Sequence, residues 1–156
     1  MAEFPRWLKP VTLWLLLGLL LYLAVQAWQQ HKASTRLTVA AGVIEIRRSS
    51  DGHFHWPGRI NGQEVSFLVD TGATRTAVPD ELVTGLPVAG RMRSDTAGGV
   101  VQGTVVRVDL VLQGDVQVVQ LPVAVLPDLK VPLLGMDVLS KLTFTQADGV
   151  LRLQRP

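Results

Sequence analysis

The residue in this sequence best placed to do chemistry is a carboxylate at the end of an apolar run. In Phe67-Leu68-Val69-Asp70-Thr71-Gly72-Ala73-Thr74, three residues suited to a buried strand deliver Asp70, and a hydroxyl and a glycine follow at once. Burying a carboxylate behind a strand costs free energy unless the group is hydrogen-bonded or does chemistry. Gly72 lets the backbone turn sharply and bring an amide close to that carboxylate. Thr71 can lock the turn through its hydroxyl. A carboxylate fixed in this way can take a proton from water and turn the water into a nucleophile. Taken alone, the tripeptide reads equally well as an Asx or ST turn that ends a strand.

Two further stretches join it. Val131-Pro132-Leu133-Leu134-Gly135-Met136-Asp137-Val138-Leu139 is a second apolar strand ending in glycine, then a short helical pattern. Between the two lies Thr96-Ala97-Gly98-Gly99-Val100-Val101, a glycine-rich turn between strand-like segments. The order Asp-Thr-Gly-Ala, Gly-tipped hairpin, apolar-apolar-Gly before a short helix resembles the retropepsins, the single-lobe aspartic proteases of the retroviral type. More narrowly it is similar to the bacterial membrane-anchored members of that group. The resemblance covers roughly residues 55–154.

The resemblance implies an aspartic endopeptidase that works as a homodimer on a polypeptide substrate, without metal or cofactor. Asp-Thr-Gly occurs once, so each chain supplies one aspartate and the partner of Asp70 is Asp70 of a second chain. Two carboxylates about 3 Å apart cannot both ionise easily, so they share a proton. One then acts as general base toward water and the other as general acid toward the scissile carbonyl. In this reading Thr71 makes the inter-chain hydroxyl network, Gly72 orients the carboxylate and leaves room for substrate backbone, and Ala73 and Thr74 extend the loop. Thr96, Ala97, Gly98, Gly99 and Val100 match the flap that closes over substrate. Leu68, Val78, Val100, Val101 and Leu133 are expected pocket walls, which implies apolar side chains beside the cleaved bond. The sequence departs from retroviral proteases at Thr74, where a second Asp is usual, and at Met136, where an Arg follows the glycine. Those two support the retroviral dimer by an ion pair, which Thr74 and Met136 cannot form. A domain that keeps this fold without catalysis, as a binding or scaffold module, is the alternative class of function.

Composition narrows the field. A chain of 156 residues holds one domain of ordinary size. The net charge of +2, without a basic stripe interleaved with aromatics, gives no reason to expect nucleic acid. No cysteine is present, which excludes disulfides, thiolate catalysis and Cys-based zinc sites. No Ser stands in a Gly-x-Ser-x-Gly context, and phosphate-cradling glycine patterns are absent. His53 and His55 alternate on an exposed strand face, and two ligands do not make a metal site. Arg47-Arg48 reads as a solvated strand end, and Asp137 as a helix-start charge favoured by the dipole.

The elements that must position Asp70 follow from periodicity. Residues 1–10 are a leader, 11–28 are almost wholly apolar, and 29–37 are a polar juxtamembrane linker before a domain over 38–156. As a helix, Val11 to Trp28 would be about 27 Å long, enough to span a bilayer at the lower limit, with Trp7 and Trp28 near the two interfaces. The orientation expected is N-terminus inside, with the domain on the periplasmic side of a bacterial inner membrane. Val25-Gln26-Ala27 would also suit signal-peptide cleavage after Ala27. Either reading exports the domain. From Thr38 onward the pattern is β, with strands at Val43–Ile46, His53–Trp56, Glu64–Val69, Thr104–Leu112, Val116–Val125, Thr143–Thr145 and Val150–Leu153. Asn61-Gly62 and Asp148-Gly149 mark hairpin turns. Pro79 to Val83 reads as one helical turn and about 136–141 as a helix. Short strands, frequent glycine turns and one late helix predict an all-β, single-lobe barrel-like fold.

Overall fold

The computed structural model describes residues 14–23, 37–96 and 99–156. The chain divides into two units, Met1–Thr35 and Arg36–Pro156. In the first, residues 14–23 form helix α1. Among the described residues no helix is long and apolar enough to cross a membrane. Residues 11–13 and 24–28 of the expected span, and most of the linker, lie outside the described residues.

The second unit is built from two sheets. The strands are β1 (Leu37–Ala40), β2 (Val43–Arg47), β3 (His55–Ile60), β4 (Gln63–Val69), β5 (Ala77–Val78), β6 (Gly90–Thr96), β7 (Gly99–Leu112), β8 (Val116–Val125), β9 (Leu133–Leu134), β10 (Thr143–Ala147) and β11 (Val150–Gln154), with helix α2 (Met136–Leu139) after β9. One sheet has the order β1-β2-β11-β10. The other runs β3-β4-β9-β5-β8-β7-β6, and β3 also pairs with β7. That extra pairing closes a ring from which β6 projects as an arm beside β7. The pairing covers the edge that β3 would otherwise expose, and β6 keeps a free edge.

Local chemistry explains these elements. Asn61 and Gly62 sit at φ 49° and 87°, so both occupy the left-handed region that a two-residue hairpin between twisted strands requires. The turn sets Ile60 opposite Gln63 and Trp56 opposite Phe67, and both aromatic rings are fully buried. The Trp56 indole N–H donates to the Gln113 carbonyl at 2.9 Å, which satisfies the one polar atom that its burial removes from water. Ile46, Leu110, Val123, Leu134, Leu139 and Leu153 complete the core.

Several details depart from the periodic reading. β1 opens at Leu37, inside the stretch read as linker, because Leu37 is apolar, pairs with Ile46 and is buried. The run 116–125 is one strand, but its alternation slips. Val116 is buried before the slip, and Leu121, Val123 and Val125 after it. Gln120 adopts φ 54° there and the pairing shifts between Val108 and Leu110, a β-bulge. The bulge is held by Asp109, whose Oδ1 accepts the Gln120 N–H at 2.9 Å. β9 is only two residues and α2 only four.

The β2–β3 connection turns on Asp51. Its Oδ1 accepts the His53 N–H at 3.0 Å, and its Oδ2 lies 2.6 Å from His55 Nε2. The backbone bond from His53, then the His55 ring, hold the Asp51 carboxyl below its ordinary value of 3.8. A carboxylate whose folded pKa is depressed stabilises the fold above its unfolded pKa, and the contribution fades as pH falls through the folded value. Asp51→Asn should therefore lower the thermal midpoint at neutral pH by a small amount, and the gap to wild type should close below about pH 4. Calorimetry of both proteins across pH 2–7 checks this; a gap that stays constant would contradict it.

Candidate active site

β4 ends at Val69, and the chain then has to reach β5, although β9 lies between β4 and β5 in the sheet. The connecting loop, residues 70–76, must cross the end of β9. That crossing places Asp70. Val69 N–H donates to the Phe54 carbonyl and Asp70 N–H to the Leu134 carbonyl, at 2.9 and 3.0 Å, so the backbone on both sides of the strand end is fixed.

The Asp70 carboxylate is half-buried. Its Oδ1 accepts the Gly72 N–H at 2.9 Å, and the Ala73 N–H donates to the Asp70 carbonyl at 3.3 Å, which makes a tight turn around the acid. A Cβ on Gly72 would stand 3.2 Å from Asp70 Oδ1, closer than most side chains tolerate. Glycine is thus used here for room beside the carboxylate rather than for a left-handed backbone. Thr71 is exposed and makes no hydrogen bond to another described residue, so its hydroxyl is open to solvent or to a second molecule. Ala73 is half-buried and its carbonyl accepts the Met136 N–H at 2.8 Å; Thr74 is exposed.

The floor of the loop is Gly135. A Cβ there would lie 2.4 Å from the Arg75 carbonyl carbon and 2.7 Å from the Thr76 nitrogen. The two backbones approach too closely for any side chain. Thr76, which is buried, then ties them together: its Oγ1 accepts the Gly135 N–H at 3.2 Å, and its own N–H and O–H both donate to Asp137 Oδ1, at 2.9 and 2.8 Å. Thr76 is absent from the residues singled out by sequence, and Asp137 was assigned only a helix-start charge. The available signal was a polar residue two positions after the strand-ending glycine, but nothing local says that its partner lies across the crossing.

The residues expected to form a flap fall on β6 and β7, which pair from Gly90 opposite Val105 to Thr96 opposite Gly99. Thr96 and Gly99 therefore face each other, and Val100, opposite Asp95, is exposed at 49%. Ala97 and Gly98 lie outside the described residues. Of the expected pocket walls, Leu68, Val101 and Leu133 are half-buried and Val100 is exposed, whereas Val78 is fully buried in the core and cannot line a cleft. Cavities of about 710 and 380 Å³ are lined by other residues and take none of residues 70–74. Among the described residues no group of three His, Cys, Asp or Glu is arranged to hold a metal ion.

Residues 56–141 match the family described as "gag-polyprotein putative aspartyl protease". The match runs from β3 through α2 and leaves the four-stranded sheet outside. The crystal structure of a retropepsin-like aspartic protease from Rickettsia conorii is similar, with TM-score 0.59 and 25% identity over 76% of this chain and 95% of that one. The foamy viral protease-reverse transcriptase in complex with an RNA/DNA hybrid matches with TM-score 0.50 and 15% identity, over 60% of this chain and 12% of that one, a likeness of fold alone. None of the curated proteins matches the sequence.

The two glycines of the site predict different outcomes. Gly135→Ala should destabilise the domain by about 1–3 kcal/mol, because backbone must move on both sides of the contact. Gly72→Ala meets only a side-chain oxygen, so its unfolding free energy should stay within about 0.5 kcal/mol of wild type. Urea unfolding of both variants is the check; equal losses would contradict the crossing geometry.

Proposed function

This chain belongs to the retropepsin-like, gag-type aspartyl protease family, and from that premise we propose that it hydrolyses peptide bonds with a dyad made of Asp70 from two chains. The observation that carries the reading is the Asp70 carboxylate itself. It is held at a strand end by the Gly72 N–H and half-open to solvent, with the exposed Thr71 hydroxyl beside it. One chain offers one such acid. A second chain related by a two-fold axis would bring the other acid and the other Thr71.

In that dimer the two carboxylates share one proton, since like charges a few ångströms apart cannot both ionise. The unprotonated acid takes a proton from water as the water oxygen attacks the scissile carbonyl carbon. The protonated acid gives its proton to the carbonyl oxygen. The resulting gem-diol then collapses: one hydroxyl gives its proton to the unprotonated acid, the C–N bond breaks, and the leaving nitrogen receives a proton from the other acid, which returns the dyad to its singly protonated state. The titration belongs to the pair and not to either residue. Substrate would lie as an extended strand between the β6–β7 hairpin and the Asp70 loop, bound by backbone hydrogen bonds, with alternate side chains in pockets. Val100 and the half-buried Leu68 and Leu133 favour apolar residues next to the cleaved bond.

The apolar run 11–28 supports a single-pass anchor, and the large apolar side chains of α1 are exposed. We place the domain on the periplasmic face of a bacterial inner membrane. Thr74 and Met136 offer no ion pair to a dimer, and tethering both chains to one membrane would offset a weak interface by raising their local concentration.

Asp70→Asn should abolish cleavage of a mixed peptide library while leaving the circular dichroism spectrum and unfolding midpoint close to wild type. A form lacking residues 1–36 should lose rate per chain on dilution, because the dimer is the active species. Cleavage retained by a folded Asp70→Asn protein would assign the activity elsewhere. Wild-type protein that cleaves nothing in the library would favour the non-catalytic binding role.

A further inference from the structure

We propose that Asp137 is a positioning residue for Asp70, acting through Thr76 and through one of its two carboxylate oxygens only. The proposal rests on the protease reading for its effect on rate, and on geometry alone for its effect on the loop.

The loop that presents Asp70 is attached to the segment 134–137 at both ends. At its start, Asp70 N–H donates to the Leu134 carbonyl, and the Ala73 carbonyl accepts the Met136 N–H. At its end the attachment is Thr76. There the backbone is pressed against Gly135 with no room for a side chain at 135, and Thr76 joins the two segments through its hydroxyl and its N–H. That hydroxyl bonds in both directions: it accepts from the Gly135 N–H and donates to Asp137 Oδ1. The Thr76 N–H donates to the same oxygen. The Thr76 carbonyl in turn accepts the Ala124 N–H at 2.9 Å, which carries the anchor into β8. Remove Asp137 Oδ1 and two donors of a buried residue lose their acceptor together, an arrangement that the chain relieves by moving the loop.

The second oxygen, Oδ2, is buried and has no hydrogen-bond partner among the described residues. Among the described residues, the side-chain hydrogen bonds of Asp137 therefore pass through Oδ1. An amide carries the same acceptor in the same place, and because both Thr76 groups are donors, the amide oxygen and not its NH2 must face them. Asparagine should replace Asp137, and alanine should not. A helix-dipole role for Asp137 predicts the opposite, since the uncharged asparagine would lose it along with alanine. Serine at position 76 should likewise replace threonine, while valine, of the same shape, should not.

The test uses the full chain, at concentrations where the wild-type rate per chain no longer rises. Asp137→Ala should lower kcat about 10- to 100-fold with KM changed less than about threefold, as expected when a reacting group is displaced by a fraction of an ångström. Asp137→Asn should stay within about threefold of wild type, and Thr76→Val and Thr76→Ser should divide in the same way. Amide hydrogen exchange is read in parallel. In the alanine and valine variants, a peptide covering residues 70–77 should exchange faster while peptides from β2 and β11 keep their wild-type rates. If alanine and asparagine lose rate alike, the acceptor role is overturned. If exchange accelerates throughout the domain in both Asp137→Ala and Thr76→Val, the residue is merely structural and the proposal is again overturned. If wild type itself cleaves nothing, the protease reading fails, and the exchange pattern alone decides the positioning claim.

Discussion

The structure depends on one crossing of chain over chain. β9 is inserted between β4 and β5, so the loop that joins those two strands must pass over the end of β9. The passage is possible because position 135 carries no side chain, and it is held by hydrogen bonds running in both directions between residues 70–76 and 134–137. Close approach of two backbones normally strands polar groups, and burying them unpaired would cost more than the packing returns. Here Thr76 and Asp137 supply the side-chain partners that the backbone cannot supply for itself. The consequence for function is direct. A carboxylate at the end of a strand is common, whereas one fixed from both sides by a crossing has a defined direction.

The rest of the second unit serves to hold that crossing still. The ring closed by the β3–β7 pairing surrounds Trp56, Phe67, Leu110 and Val123, and Leu134 and Leu139 carry the crossing segment into the same core. Outside the ring, β2 and β11 each have both neighbours within the chain, in the sheet β1-β2-β11-β10. The edges of that sheet are β1 and β10. In the proposed dimer the second chain meets this one where Thr71 is exposed and Asp70 half-buried.

Much of this could be read from the residues. The run ending at Asp70, the Asn61-Gly62 turn and the alternation of Val106, Val108, Leu110 and Leu112 are local signals, and each specifies its own geometry. What the sequence concealed was non-local or slight. Leu37 looks like the end of a polar linker until Ile46 is placed opposite it. The phase slip at Gln120 is visible only if the inward residues before and after it are compared, and its cause, the Asp109 side chain, lies on another strand. Asp137 Oδ1 takes its hydrogen bonds from a residue 61 positions away, so the spacing within its own segment points only to a helix-start charge. Val78 has the composition of a pocket wall, and it is the sheet order that puts it in the core.

The central claim is that one chain carries half of a catalytic site. The most direct measurement mixes the wild-type domain with increasing amounts of the Asp70→Asn domain, at fixed wild-type concentration above the dimer's dissociation constant, and follows peptide cleavage. Mixed dimers contain one Asp70 and should be inactive. Activity per wild-type chain should therefore fall in proportion to the wild-type fraction and approach zero in excess mutant. Activity that stays constant as the mutant is added would mean that each chain works alone, and would contradict the account.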